Sequence, residues 1–220
     1  MKKYLHAILF IFLPGIIAAG CYINVLIPWE DGNIPYFFSG QFTEQEVLTV
    51  EAAMDEWEAA CGVTFEEVLP NSYAYEIIKT GRSNTWASSI GENNVYNHMF
   101  YGTGTDAYSH VLHELGHCLG LLHEHQRPDR DDFVTIVWNK IWPEYAFNFE
   151  IRNNPLLVEE NYAYDYYSVM HYNSRGFSID GSETIIPVDP EIEIIRADHL
   201  TADDKAKCSE IYSPLLEDEN

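Results

Sequence analysis

Three histidines and one glutamate carry the chemical content of this 220-residue sequence. His113-Glu114-Leu115-Gly116-His117 is an H-E-x-x-H pattern. On a helix, residues four apart share a face, so the imidazoles of His113 and His117 can meet one metal ion. Glu114 lies about 100° around the helix from His113, within reach of a metal-bound water without being a primary ligand. Gly120 comes three residues after His117, and His123 three after Gly120. A glycine there can adopt left-handed backbone, end the helix and turn the chain so that His123 returns as a third ligand. The string H-E-x-x-H-x-x-G-x-x-H fixes five positions. With residues roughly equiprobable, its chance occurrence in a chain this long is on the order of 10⁻⁴ or less.

Three neutral imidazoles leave one position of a zinc ion open for water, the arrangement of a catalytic site. Zinc lowers the pKa of that water to about 7; Glu114 can take its proton and pass it to a leaving amine. The expected chemistry is hydrolysis of peptide bonds in proteins with one Zn2+. Composition fits a folded enzyme: 46% of residues are hydrophobic and 21% charged. The formal net charge of −23 repels nucleic acid and anionic lipid, and both are set aside as partners.

Several elements must position these residues. Val47, Val50, Ala53, Met54 and Trp57 recur at helical spacing, which predicts a helix over 47–60 with a capping-box start at Thr43-Glu44-Gln45-Glu46 and a stop at Gly62. Segments 63–68, 73–79 and 86–90 have strand composition. Thr105 or Asp106 is placed to cap a helix running to about Leu119, and Thr201 one over 202–211. Five prolines, at 128, 143, 155, 187 and 190, interrupt the chain between these helices. The fold class is α+β, strand-rich before the zinc helix and loop-rich after it.

Residues 1–20 read as a secretory signal peptide: Lys2 and Lys3, an apolar stretch from Leu5 to Phe12, then Ala18-Ala19-Gly20. Cys21 follows directly, as in a bacterial lipoprotein signal, although Ala18 stands where the usual Leu belongs. A soluble secreted protein is expected, with membrane attachment only if Cys21 is lipidated. Export favours disulfides; the remaining cysteines are Cys61, Cys118 and Cys208.

The zinc string resembles that of the metzincin proteases, and its continuation His123-Glu124-His125-Gln126-Arg127-Pro128-Asp129-Arg130-Asp131 resembles the astacins within them. Ser168-Val169-Met170-His171-Tyr172 is similar to the astacin Met-turn. Ile34-Pro35-Tyr36, Cys61-Gly62-Val63-Thr64-Phe65 and Glu183-Thr184-Ile185-Ile186-Pro187 extend the likeness over nearly the whole mature chain.

The resemblance implies a bacterial-type, monomeric, astacin-like domain over 21–220. Its upper lobe, about 21–122, would hold a twisted, mainly antiparallel-edged sheet and the zinc helix. Its lower lobe, about 123–220, would be loop-rich and hold the C-terminal helix. Met170 would form an apolar floor under the zinc. Tyr172 would be a fifth ligand that turns to the oxyanion in the transition state. Glu124 would receive the mature N-terminus, and Arg127 and Asp129 would be structural. A peptide substrate would add a strand at the sheet edge near Trp86, and Arg196, or else Arg175, would receive an acidic side chain after the cleaved bond. Cys61 would pair with Cys208, with Cys118–Cys208 an open alternative; Thr85 and Thr105 stand where a second disulfide is usual. Another metzincin branch and a non-catalytic binding module are the rival readings, and the intact Glu114 weighs against the second.

Overall fold

The computed structural model describes residues 27–71, 73–81, 86–87, 91–92, 97–102, 104, 107–157 and 161–217. The expected signal segment, Cys21, Thr85, and the candidate cap residues Thr105 and Asp106 lie outside the described residues.

Five strands form the main sheet: β1 (Asn33–Ser39), β2 (Thr64–Glu67), β3 (Tyr75–Lys79), β4 (Trp86–Ala87) and β5 (His98–Tyr101), in the order β2-β1-β3-β5-β4. The pairings of β1 with β2, β1 with β3 and β3 with β5 are parallel; only β4, at the edge, is antiparallel. Parallel neighbours need a crossover, and α1 (Glu44–Cys61) supplies the one between β1 and β2. Thr43 opens α1. Its hydroxyl accepts from the Glu46 amide at 3.4 Å, and Glu46 Oε2 accepts from the Thr43 amide at 2.7 Å. That reciprocal cap starts the helix a turn ahead of the apolar stripe. Gly62 closes it at φ +74°. Strand β5 escaped sequence reading, because four residues beginning with a histidine offer little pattern.

The buried face of α1, with Val50, Ala53, Met54 and Trp57, packs on α2 (Ala107–Cys118). The Trp57 indole donates to the Leu112 carbonyl at 2.9 Å, so the two helices are joined by a buried hydrogen bond as well as by apolar contact. After α2 the chain turns to short 3-10 segments and a two-stranded antiparallel sheet of β6 (Val134–Ile136) and β7 (Ile185–Pro187). This part has its own core, with Val134, Ile136, Ile141, Phe149, Tyr164, Ile185 and Ile194. Two separate cores are what a two-lobed α+β domain requires.

The last helix, α3 (Ala202–Glu217), is capped by Thr201, whose hydroxyl accepts from the Asp204 amide at 3.1 Å. It runs beyond the expected end at 211 and past Pro214, because Leu215 and Leu216 still pack on the core. α3 lies against α1, and a disulfide joins Cys61 to Cys208 with Cα atoms 5.6 Å apart. That settles the pairing: Cys118 is a buried free thiol, its pKa pushed up by burial.

Candidate metal centre

α2 carries His113 and His117 on one face, with ring centroids 4.8 Å apart. The helix ends just after them. The Gly120 amide donates to the His117 carbonyl at 2.9 Å, and Gly120 itself sits at φ +94°. Only glycine takes that conformation without strain. A Cβ there would also come to 3.0 Å from Leu156 Cδ1, which would have to shift. The turn returns His123 to 4.4 Å from the His117 ring and 5.1 Å from that of His113. A ligand nitrogen from each of the three lies within 4.8 Å of the other two.

Hydrogen bonds on the far side of each ring fix its orientation. His113 Nδ1 lies 2.6 Å from the Val169 carbonyl, His117 Nδ1 2.8 Å from the Leu121 carbonyl, and His123 Nδ1 2.9 Å from Gln126 Oε1. Each partner is an acceptor; the Gln126 amide nitrogen is identified by its own 3.0 Å bond to the Asn148 carbonyl. Each Nδ1 therefore carries the proton, and each Nε2 presents a lone pair. The Nε2 atoms of His117 and His123 stand 3.0 Å apart with no proton to share. Two lone pairs at that distance repel unless a cation lies between them, so the triad fits a metal ion. Burial holds His113 and His123 well below the usual histidine range, helped by the neighbouring imidazoles. Burial likewise brings His117 down to about 4. All three are neutral near pH 7, as ligands must be.

Glu114 is buried on the same helix, 7% exposed, and its charge is felt at the Tyr172 phenol. The Tyr172 ring lies 4.3 Å from that of His123 and 6.4 Å from that of His113. Burial first, and then Glu114, raise its pKa, so the phenol keeps its proton. Met170 is buried against Gly116, where any side chain would strike its sulfur. Met170 therefore packs on the zinc-helix face between Glu114 and His117, where only glycine leaves room for it.

Glu124 follows His123 and is 4% exposed. Among the described residues, its Oε1 accepts from Arg127 Nη1 at 3.0 Å and the Asp165 amide at 2.9 Å, and its Oε2 from Lys207 Nζ at 2.6 Å. Arg127 grips both Asp129 oxygens, at 2.9 and 2.8 Å, and two carbonyls, those of Tyr162 and Ala163. It thereby braces the loop after His123 rather than facing the cleft. Arg196 is partly buried, and its charge is felt at His113 and Tyr172, which places it on the site's side. Arg175 is exposed, and Trp86 belongs to the edge strand.

Sequence reasoning missed Gly116, Gln126 and the Val169 carbonyl. Gly116 and Gln126 stand in motifs already singled out, but their roles need three-dimensional neighbours to be seen. A backbone carbonyl leaves no trace in residue type.

The family model for the Astacin peptidases matches residues 23–213. The zinc metalloproteinase nas-8 of Steinernema carpocapsae is 32% identical over 195 residues, covering 86% of this chain and 46% of that protein. High choriolytic enzyme 2 of Oryzias latipes is 33% identical, covering 82% of this chain and 63% of that one. In structure, the hatching-enzyme zinc-protease High choriolytic enzyme 1 of Oryzias latipes superposes with a TM-score of 0.73 at 28% identity, over 89% of this chain and 98% of that one. The chain thus spans about half to two thirds of the length of these sequence relatives. They come from a nematode and a fish, which gives no support to the bacterial-type expectation.

Proposed function

The chain belongs to the astacin family of peptidases, and on that premise we propose that it is a secreted zinc-dependent endopeptidase acting on peptide bonds in proteins. The observation that carries this reading is the convergence of three neutral imidazoles, each oriented from behind, with the buried Glu114 on the same helix.

His113, His117 and His123 would hold the zinc. When bound, zinc supplies a Lewis acid and makes a water in its open position acidic. The rest falls to side chains. Glu114 accepts the proton of the attacking water and returns it to the leaving amine. Tyr172, kept protonated, donates a hydrogen bond to the oxyanion, whose charge appears only in the transition state. Among the described residues the edge strand β4 pairs with β5 alone, and its other side would receive an extended peptide at Trp86–Ala87. Arg196 would take the carboxylate of an acidic residue just after the cleaved bond, because a guanidinium can hold it with two parallel hydrogen bonds. The Cys61–Cys208 disulfide suits an oxidising compartment, reached through residues 1–20. Monomeric action on protein substrates completes the proposal.

Zinc content and peptide cleavage of the wild type and of Glu114→Ala test it. Glu114→Ala should keep the metal and the fold but lose at least about 10²-fold in rate, the scale of a removed general base. Wild-type cleavage by this variant would refute the mechanism. A wild type that holds zinc and cleaves nothing would favour the binding module.

A further inference from the structure

One side chain links the third histidine of the triad to the tyrosine beside it. His125 stands two residues after His123 and is fully buried. Its ring lies 4.3 Å from that of Tyr172 at an interplanar angle of 30°. The other rings around Tyr172 meet it at a steeper angle or from farther off: His123 at 63°, Phe149 at 78°, Phe177 at 51°, and His113, nearly parallel, at 6.4 Å. His125 Nε2 lies 3.0 Å from the Asn148 carbonyl, an acceptor, so Nε2 carries the proton and Nδ1 a lone pair. That lone pair is buried and has no hydrogen-bond partner among the described residues. The same carbonyl accepts from Gln126 Nε2, also at 3.0 Å, and Gln126 Oε1 orients His123. Arg130 Nη1 holds the two segments together, donating to the His125 carbonyl at 2.9 Å and the Phe149 carbonyl at 2.8 Å.

We infer that His125 is a positioning residue for Tyr172: its imidazole is the face on which the phenol ring rests, and its bond to the Asn148 carbonyl fixes that face relative to the metal centre. The inference rests on the proposed oxyanion role of Tyr172 and deepens it, since a donor aimed at developing charge acts fully only from a set position. Phenylalanine in place of His125 would stack but could not donate. Glutamine would donate but has no ring face. The imidazole does both, at the cost of one buried, unpaired nitrogen. A stacked neighbour limits tilting of the phenol out of its plane and leaves it free to slide within that plane, the freedom a donor needs to follow an oxyanion as it forms. The Asn148 carbonyl sets both the support under Tyr172 and, through Gln126, the His123 ring. One backbone oxygen of the 3-10 segment Pro143–Phe149 thus aligns the two groups.

The test compares His125→Gln and His125→Phe with the wild type, reading three quantities: kcat and KM separately, the zinc dissociation constant against a competing chelator, and the NMR signal of the Tyr172 ring in the metal-free protein carrying labelled tyrosine. Tyr172→Phe, which lacks that signal, assigns it. His125→Gln should lower kcat about 10-fold, the upper end of what a stacked pair contributes, with little change in KM or zinc affinity. Its Tyr172 signal should lose the upfield shift that a ring face imposes. His125→Phe should keep the shift and most of kcat. In a Tyr172→Phe background, His125→Gln should cost no further rate. An unmoved Tyr172 signal overturns the proposal, as does an unchanged kcat in His125→Gln where Tyr172→Phe is slowed. So does a rate loss that persists in the Tyr172→Phe background, or a comparable loss of zinc affinity, which would place the effect at His123. If His125→Gln does not fold, His125→Leu takes its place under the same criteria: like His125→Phe it lacks the donor, so the two differ in the ring face. A Tyr172→Phe variant at the wild-type rate would sink the oxyanion role, while the NMR signal would still decide whether His125 seats the ring, so the two failures are distinguishable.

Discussion

Replacing Gly116 by alanine should destabilise the protein, against the usual direction for a helix interior. On an exposed helix the change gains about 1 kcal/mol, because glycine loses more backbone freedom on folding. At position 116 the added Cβ would overlap Met170 Sδ and come to 3.1 Å from Trp57 Cζ2 and 3.3 Å from Met170 Cε. Trp57 cannot retreat freely, since its indole is bonded to the Leu112 carbonyl of the same helix. Met170 is held at both ends of its backbone, by Ser168 Oγ at 3.0 Å and the Glu124 amide at 3.1 Å. Overpacking of a close-fitted core costs about 1–3 kcal/mol. After the helix gain is offset, a net loss of up to about 2 kcal/mol remains, or up to about 8 °C in melting temperature for a domain of this size. The displaced Met170 also pulls on the Val169 carbonyl behind His113, so zinc should bind more weakly. Thermal unfolding of the metal-free and zinc-loaded forms reads both effects. A melting temperature raised by a few degrees, as for an exposed glycine, would show that the contact between α2 and Met170 is not tight.

Two further outcomes are expected. Cleavage of a peptide library by Arg196→Ala should lose enrichment of Asp or Glu after the scissile bond, a contact of about 1.5–3 kcal/mol, while neutral substrates keep their rate; an unchanged profile removes Arg196 from the pocket. The metal-free protein should lose stability as pH falls from 6.5 towards 4. His117 and His171 are both depressed to about 4, chiefly by burial, so the unfolded chain takes up their protons first. Each accounts for about 3 kcal/mol across that window. Denaturant unfolding at several pH values checks this, and a flat profile between pH 6.5 and 4 contradicts it.

The zinc helix, the His123 turn and the capping box at Thr43 were all legible, because each rests on spacing between near neighbours. Gly120 was readable for the same reason: a turn after a helix demands a left-handed residue at a countable distance. The sheet was less legible. Strand composition says nothing about partner or direction, and α1 accounts only for the parallel pairing of β1 with β2. Lys207 as a partner of Glu124 was not legible for a related reason: the structure brings it there from 83 residues away. The choice of Cys61 rather than Cys118 as the partner of Cys208 likewise followed from α3 lying against α1.

The Cys61–Cys208 bond closes a loop 147 residues in span. His113, Glu114, His117, His123, Met170, Tyr172 and Arg196 all lie within it. On the endopeptidase reading the protein meets copies of itself, and the irregular stretch after α2 offers many accessible bonds. A single cut anywhere between residues 62 and 207 leaves two pieces that stay covalently joined. Self-digestion would thus show as two bands on a reducing gel and one on a non-reducing gel, with the catalytic apparatus still in one molecule.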